Sequence, residues 1–219
     1  MLKGAIFDID GTLLDSVDAQ AEAWSAAFKE HGYEVTRAQV RRQIGKTGID
    51  PVPVFLDADA CARDGQALAD THARIFRAAH MADLKPFPQV RDLFQALRAR
   101  KVKIALAFVP EGDALRQYTA LLQIDDLIDT AMSSEEHATP APDIFQAAMD
   151  RLMPLDHEHA LAFVDSPADA TAAARLGLRS VGLRCGGSTD AELENAGVIR
   201  IYDDPADLLT QLEGVLLLV

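Results

Sequence analysis

The chain has 219 residues, 49% of them hydrophobic and 25% charged, with a formal net charge of −13. That length fits one large domain or a core with a small second domain, and the apolar fraction supports a packed core rather than disorder. The acidic balance argues against a nucleic-acid partner, because no basic surface is available to displace counterions from phosphates.

No apolar stretch reaches the length of a membrane span, and the closing run 215–219 is far too short. The two cysteines, Cys61 and Cys185, lie far apart without CxxC spacing, and no signal peptide precedes the first strand. The expectation is a reduced, soluble, cytoplasmic protein, a monomer or weak homodimer, with no membrane partner.

In chain order, the apolar run Gly4-Ala5-Ile6-Phe7 reads as a buried strand that ends in Asp8-Ile9-Asp10-Gly11-Thr12. Ligands bind at the C-terminal edge of a parallel sheet. Two carboxylates two residues apart at that edge form a dense negative site unless a cation joins them. Residues 15–84 then read as an all-helical insert. Its Ala-rich amphipathic segments cover 19–31, 37–43 and about 66–81, with Trp24, Ala27 and Phe28 at helical spacing. Pro51 and Pro53 interrupt this block, and Gly65 marks a turn.

From Pro86 onward helix and strand alternate. Helices are expected at 89–100, 112–122, 141–152 and 168–176, with a last one from about 205. Strands are expected at 102–108, 128–132, 160–164, 180–183 and 199–202. This alternation predicts an α/β fold with a doubly wound parallel sheet.

Several strings carry a resemblance. FDIDGTLLDS closely resembles the first motif of the haloacid dehalogenase (HAD) superfamily, most of whose members are magnesium-dependent phosphatases. Phe163-Val164-Asp165-Ser166-Pro167-Ala168-Asp169 resembles the fourth motif, in its GDSxxD form, with Val164 where Gly usually stands. The tail GGSTDAELENAGVIRIYDDPADLLTQLE and the loop Ile44-Gly45-Lys46-Thr47-Gly48 resemble phosphoglycolate phosphatase-like and beta-phosphoglucomutase-like members. The resemblance covers nearly the whole chain. It implies a Rossmann-like core at 1–14 and 85–219 with a helical cap inserted at 15–84.

The resemblance also implies roles. Asp8 becomes the nucleophile, and Asp10 protonates the leaving oxygen and then activates water. Gly11 and Thr12 turn the chain so that backbone N–H groups approach the phosphate. Mg2+ is held by Asp8, the backbone carbonyl of Asp10 and Asp165, with Asp169 one layer further out. Taken alone, Asp165 and Asp169 also suit a helix N-terminus, where carboxylates meet the positive end of the dipole. The substrate is a small phosphorylated metabolite, and a mutase that moves phosphate within a sugar shares the first motif. Dehalogenation fits poorly, because halide departure needs no proton donor and Asp10 is one.

Two positions depart from the pattern. Phe108 stands where the second motif has a Ser or Thr, and Thr139 stands where the third has a Lys, just before Pro140-Ala141-Pro142-Asp143. Removing one preorganised donor to a charged transition state costs about 10²–10³ in rate. The alternative reading is therefore a HAD-fold protein with weak or no catalysis and a binding or regulatory role. Lys46 is the candidate for replacement charge, and His137 a weaker one. His157-Glu158-His159 reads as a polar turn, not a metal site.

Overall fold

The computed structural model describes residues 1–44, 51–107, 114–132 and 144–219. The chain divides into two compact units, Met1–Asp15 with Lys85–Val219, and Ser16–Leu84. The first unit begins with β1 (Gly4–Phe7) and β2 (Leu14–Asp15). The second holds α1 (Val17–Glu30), α2 (Arg37–Arg41), α3 (Val52–Phe55) and α4 (Ala58–Ala79). The first unit resumes with β3 (Lys85–Pro86), α5 (Val90–Ala99), β4 (Lys103–Ala107), α6 (Ala114–Leu122) and β5 (Thr130–Met132). Then come α7 (Ile144–Leu152), β6 (Ala160–Val164), α8 (Pro167–Arg175) and β7 (Arg179–Leu183). The chain closes with α9 (Asp190–Asn195), β8 (Arg200–Tyr202), α10 (Pro205–Thr210) and α11 (Leu212–Val215).

Six parallel strands form one sheet in the order β5-β4-β1-β6-β7-β8. Strand β1 is central: Ile6 pairs with Ala105 on one side and with Ala162 on the other. Such a strand is covered on both faces, so it can be apolar throughout, and all four residues of β1 are buried. Ile6 faces a cluster with Ala105, Ala162 and Val164, against Phe145, Ala148 and Met149 of α7 and Ala170 of α8. Phe7 faces the other way, stacked on Phe163 with centroids 4.4 Å apart and 4.9 Å from Phe94 of α5. The strands after β1 build outward on one side through β4 and β5, then on the other through β6, β7 and β8. The strand order therefore reverses at β1, and the C-terminal end of that strand is where an open α/β sheet leaves a crevice.

Three local expectations change. Gly65 marks no turn but lies within α4, where a Cβ at that position would meet nothing nearer than Val52 at 4.0 Å. Pro51 and Pro53 do not simply interrupt: Pro53 sits in the first turn of the short helix α3, where a missing N–H costs nothing. Asp15, taken above as part of the insert, pairs with Lys85 in the two-stranded β2–β3 ribbon. His157–His159 forms a single 3-10 turn, in which Nδ1 of His157 bonds the Leu176 carbonyl at 2.7 Å. Both cysteines are free thiols, and among the described residues no helix is long and apolar enough to cross a membrane.

In the helical unit, Trp24 and Phe28 do pack, in a core with Ala21, Val40, Val52 and Leu68. His72 of α4 is buried there, stacked on Trp24 at 4.1 Å and donating from Nε2 to Oε1 of Gln20 at 2.8 Å. Burial, and then the charge of His80, lowers its pKa to about 3. The unfolded chain takes up this proton near pH 6.5 and the folded chain does not, so the His72 contribution lowers stability as pH drops below that value. On going from pH 7 to pH 5, the stability change of His72→Gln is expected to be about 2 kcal/mol more favourable than that of the wild type. Urea midpoints at the two pH values check this, and equal changes would contradict it.

Candidate active site

Asp8 follows β1 directly, and its N–H donates to the Phe163 carbonyl at 3.1 Å, which locks it beside the end of β6. Beyond it the chain turns sharply around one acceptor. The Ile9 carbonyl takes the N–H groups of Thr12 (3.2 Å), Leu13 (2.9 Å) and Leu14 (2.9 Å). Gly11, at φ 83°, occupies the left-handed region that a side chain would resist, and its N–H donates to the Leu14 carbonyl at 2.9 Å. The N–H groups of Gly11 and Thr12 are used inside this turn and fix its shape.

Thr12 contributes instead through its side chain. It is fully buried, and its hydroxyl lies 3.3 Å from Oδ2 of Asp8 and 3.2 Å from Oδ1 of Asp165. One O–H proton serves two carboxylates, so Thr12 bridges the two strand ends and reaches Asp165 across 153 residues of sequence.

Asp165 follows the fully buried strand β6, and Ser166 caps α8. The Ser166 hydroxyl accepts from the Asp169 N–H at 3.1 Å and donates to Oδ2 of Asp169 at 2.5 Å. That cap fixes Asp169 in the first turn of the helix. Asp8, Asp165 and Asp169 each bring a carboxylate oxygen within 4.8 Å of the others. Asp169 therefore brings a third carboxylate to the same strand ends. Asp10, also near enough for its charge to act on both Asp8 and Asp165, is half-buried.

Electrostatics makes this arrangement costly for the protein alone. Asp8 is 8% exposed and Asp165 5%. Burial, followed by the charges of Asp169, Asp165 and Asp10, pushes the Asp8 carboxyl well above the ordinary carboxylate range. Burial and then Asp169 push Asp165 up to about 8. An all-oxygen set of buried carboxylates with raised pKa values fits a hard divalent cation, which removes both penalties at once.

Three more residues join the site without having been visible in the sequence. Gly186, in the turn after β7, lies so close to Asp165 that a Cβ there would fall 1.8 Å from Oδ2. Cys185 donates its thiol to the Gly11 carbonyl at 3.2 Å. Tyr118 of α6 is buried, and desolvation with the charges of Asp10 and Asp8 holds its hydroxyl above the ordinary range. Lys46, Phe108, His137 and Thr139 lie outside the described residues.

Comparison with known proteins gives one answer. Residues 5–183 match the family model of the haloacid dehalogenase-like hydrolases. A phosphoglycolate phosphatase of Cereibacter sphaeroides is 30% identical, over 96% of this chain and 99% of its own. A phosphorylated carbohydrates phosphatase of Thermotoga maritima is 24% identical over 98% of this chain and all of its own. Among solved structures, a hydrolase from Pseudomonas syringae superposes with a TM-score of 0.82 at 28% identity, covering 97% of this chain and 98% of that one. With most of its length inside the family model, and its paired aspartates inside the matched segment, this chain belongs to the haloacid dehalogenase-like hydrolases.

Proposed function

We propose that the protein is a phosphatase of small phosphate monoesters that works through an aspartyl phosphate on Asp8. The observation that carries this reading is the meeting of Asp8, Asp165 and Asp169 within 4.8 Å at the switch point of the sheet. The relatives act on phosphoglycolate and phosphorylated carbohydrates, which supports a substrate of that size and charge.

An Asp8 carboxylate oxygen attacks phosphorus, and the bond from phosphorus to the ester oxygen breaks. Asp10 gives its proton to that leaving oxygen and then, as the carboxylate, takes a proton from the water that cleaves the acyl phosphate. Thr12 holds Asp8 and Asp165 in a fixed relation through both stages. Mg2+, held by Asp8, Asp165 and Asp169 with the Asp10 carbonyl, supplies the positive charge that ionises the carboxylates and offsets charge on the transferring group. Phe108 and Thr139 withhold a hydroxyl and an ammonium that the family pattern provides, so turnover is slow rather than different in kind. Residues 16–84 are the unit in which substrate selectivity resides.

A panel of small phosphate esters, 2-phosphoglycolate and hexose phosphates among them, tests this with and without Mg2+. Hydrolysis that requires Mg2+ is the expected result. Folded protein with no turnover above an Asp8→Asn control, on any ester, would overturn the reading.

A further inference from the structure

We propose that the turn Arg184–Gly187 sets the spacing between the two acid-bearing strand ends, with Cys185 and Gly186 as its positioning residues. Strand β7 lies beside β6, so the turn that follows it emerges next to Asp165. The turn is a single 3-10 helix, Arg184–Gly186, closed by Gly187 at φ 94°. Two adjacent residues make separate contacts, Cys185 with the turn that follows Asp8 and Gly186 with Asp165 itself.

Cys185 makes the first contact. Its Sγ lies 3.2 Å from the Gly11 carbonyl and 3.9 Å from that of Thr12, joining residues 174 apart in sequence. Among the described residues, the N–H groups of Gly11 and Thr12 are tied within their own turn, to Leu14 and Ile9. Cys185 thus holds that turn from outside, on the carbonyl side. The thiol stays protonated because burial raises its pKa, so it acts as a donor and not as a nucleophile. Any drift of Gly11 and Thr12 moves the Thr12 hydroxyl, which bridges Asp8 and Asp165.

Gly186 makes the second contact. A Cβ built there would lie 1.8 Å from Oδ2 of Asp165 and 2.4 Å from both its Cβ and its Cγ. Rotating the Asp165 side chain cannot clear the Cβ contact, because that atom is fixed by the backbone. Only glycine lets the turn press this closely on the carboxylate. Arg184 anchors the turn from its other end, bonding both oxygens of Asp190 at 2.6 and 2.8 Å and Asp203 at 2.6 Å. Exposed ion pairs add little stability singly, but a planar fork held at three points fixes a direction.

The activity readout rests on the phosphatase reading, whereas the binding readout does not. Calorimetric titration with Mg2+ therefore comes first, on protein shown by its melting curve to be folded. Cys185→Ala is expected to bind Mg2+ about tenfold more weakly and to lose a similar factor in kcat with KM unchanged. Cys185→Ser, which keeps a donor, recovers most of both. Gly186→Ala is expected to lose about 100-fold in Mg2+ affinity. Wild-type affinity in Cys185→Ala, or equal losses in the Ala and Ser variants, would overturn the proposal. If Gly186→Ala does not fold, the two Cys185 variants decide alone. Wild-type protein that binds Mg2+ but hydrolyses no ester would sink the phosphatase reading and leave the binding comparison standing.

Discussion

Asp8→Asn is expected to abolish ester hydrolysis while making the metal-free protein more stable. The amide has nearly the shape of the carboxylate, so the fold has no steric reason to change. It cannot act as a nucleophile toward phosphorus, and a loss of ~10³-fold or more in kcat follows. The stability gain comes from the same charge. Asp8 is buried among Asp169, Asp165 and Asp10, and its pKa lies well above that of the unfolded chain. A raised carboxyl favours folding while protonated, and that contribution disappears as pH climbs through the folded-state value. At pH 8 the wild type bears this cost without metal and the variant does not. Thermal melts in chelator should thus place Asp8→Asn above the wild type, by more at pH 8 than at pH 5. Retained hydrolysis would contradict the assignment of the nucleophile, and a lower melting temperature at pH 8 would contradict the electrostatic account.

The acids of the site were legible because each signal is local. Asp8 ends one buried apolar run and Asp165 ends another, and strand ends of that kind are readable from four or five residues. Asp169 came with Asp165, four residues on, although its nearness to the other two depends on the Ser166 cap. The supports were not legible. The sequence marks Thr12 by the turn it sits in, and its hydroxyl matters only because β6 lies beside β1. Gly186 and Cys185 act from the turn after β7, and nothing in Arg184-Cys185-Gly186 points to Asp165 on the neighbouring strand end or to Gly11, 174 positions earlier. Among the elements, α9 went unseen because six mostly polar residues with Leu193 alone buried carry no apolar period. Its one signal was the Thr189–Glu192 capping box, which is readable without a period. Gly65 shows the opposite case, because its turn propensity is overridden where the helix has room to continue.

The cluster of raised carboxyls also dictates how metal and pH act together. With Asp165 at about 8 and Asp8 likewise raised, the metal-free folded state keeps protons that the unfolded chain has released. Its stability therefore declines as pH rises from about 4 toward 8. Mg2+ requires the ionised oxygens, so at pH 5.5 it must displace protons and at pH 8 it meets far fewer of them. At 100 times its dissociation constant a ligand adds about 2.7 kcal/mol, which for a chain of this size raises the melting temperature by roughly 5–10 °C. At one fixed Mg2+ concentration the shift is expected to be large at pH 8 and to shrink markedly at pH 5.5. His72 tilts stability the other way with pH, but it lies in the helical unit and cancels between paired samples with and without Mg2+. Asp165→Asn should flatten the dependence by removing both a ligand and a titrating group. A shift as large at pH 5.5 as at pH 8 would mean that the metal-sensitive carboxylates are ordinary surface acids, and that the buried cluster is not where Mg2+ binds.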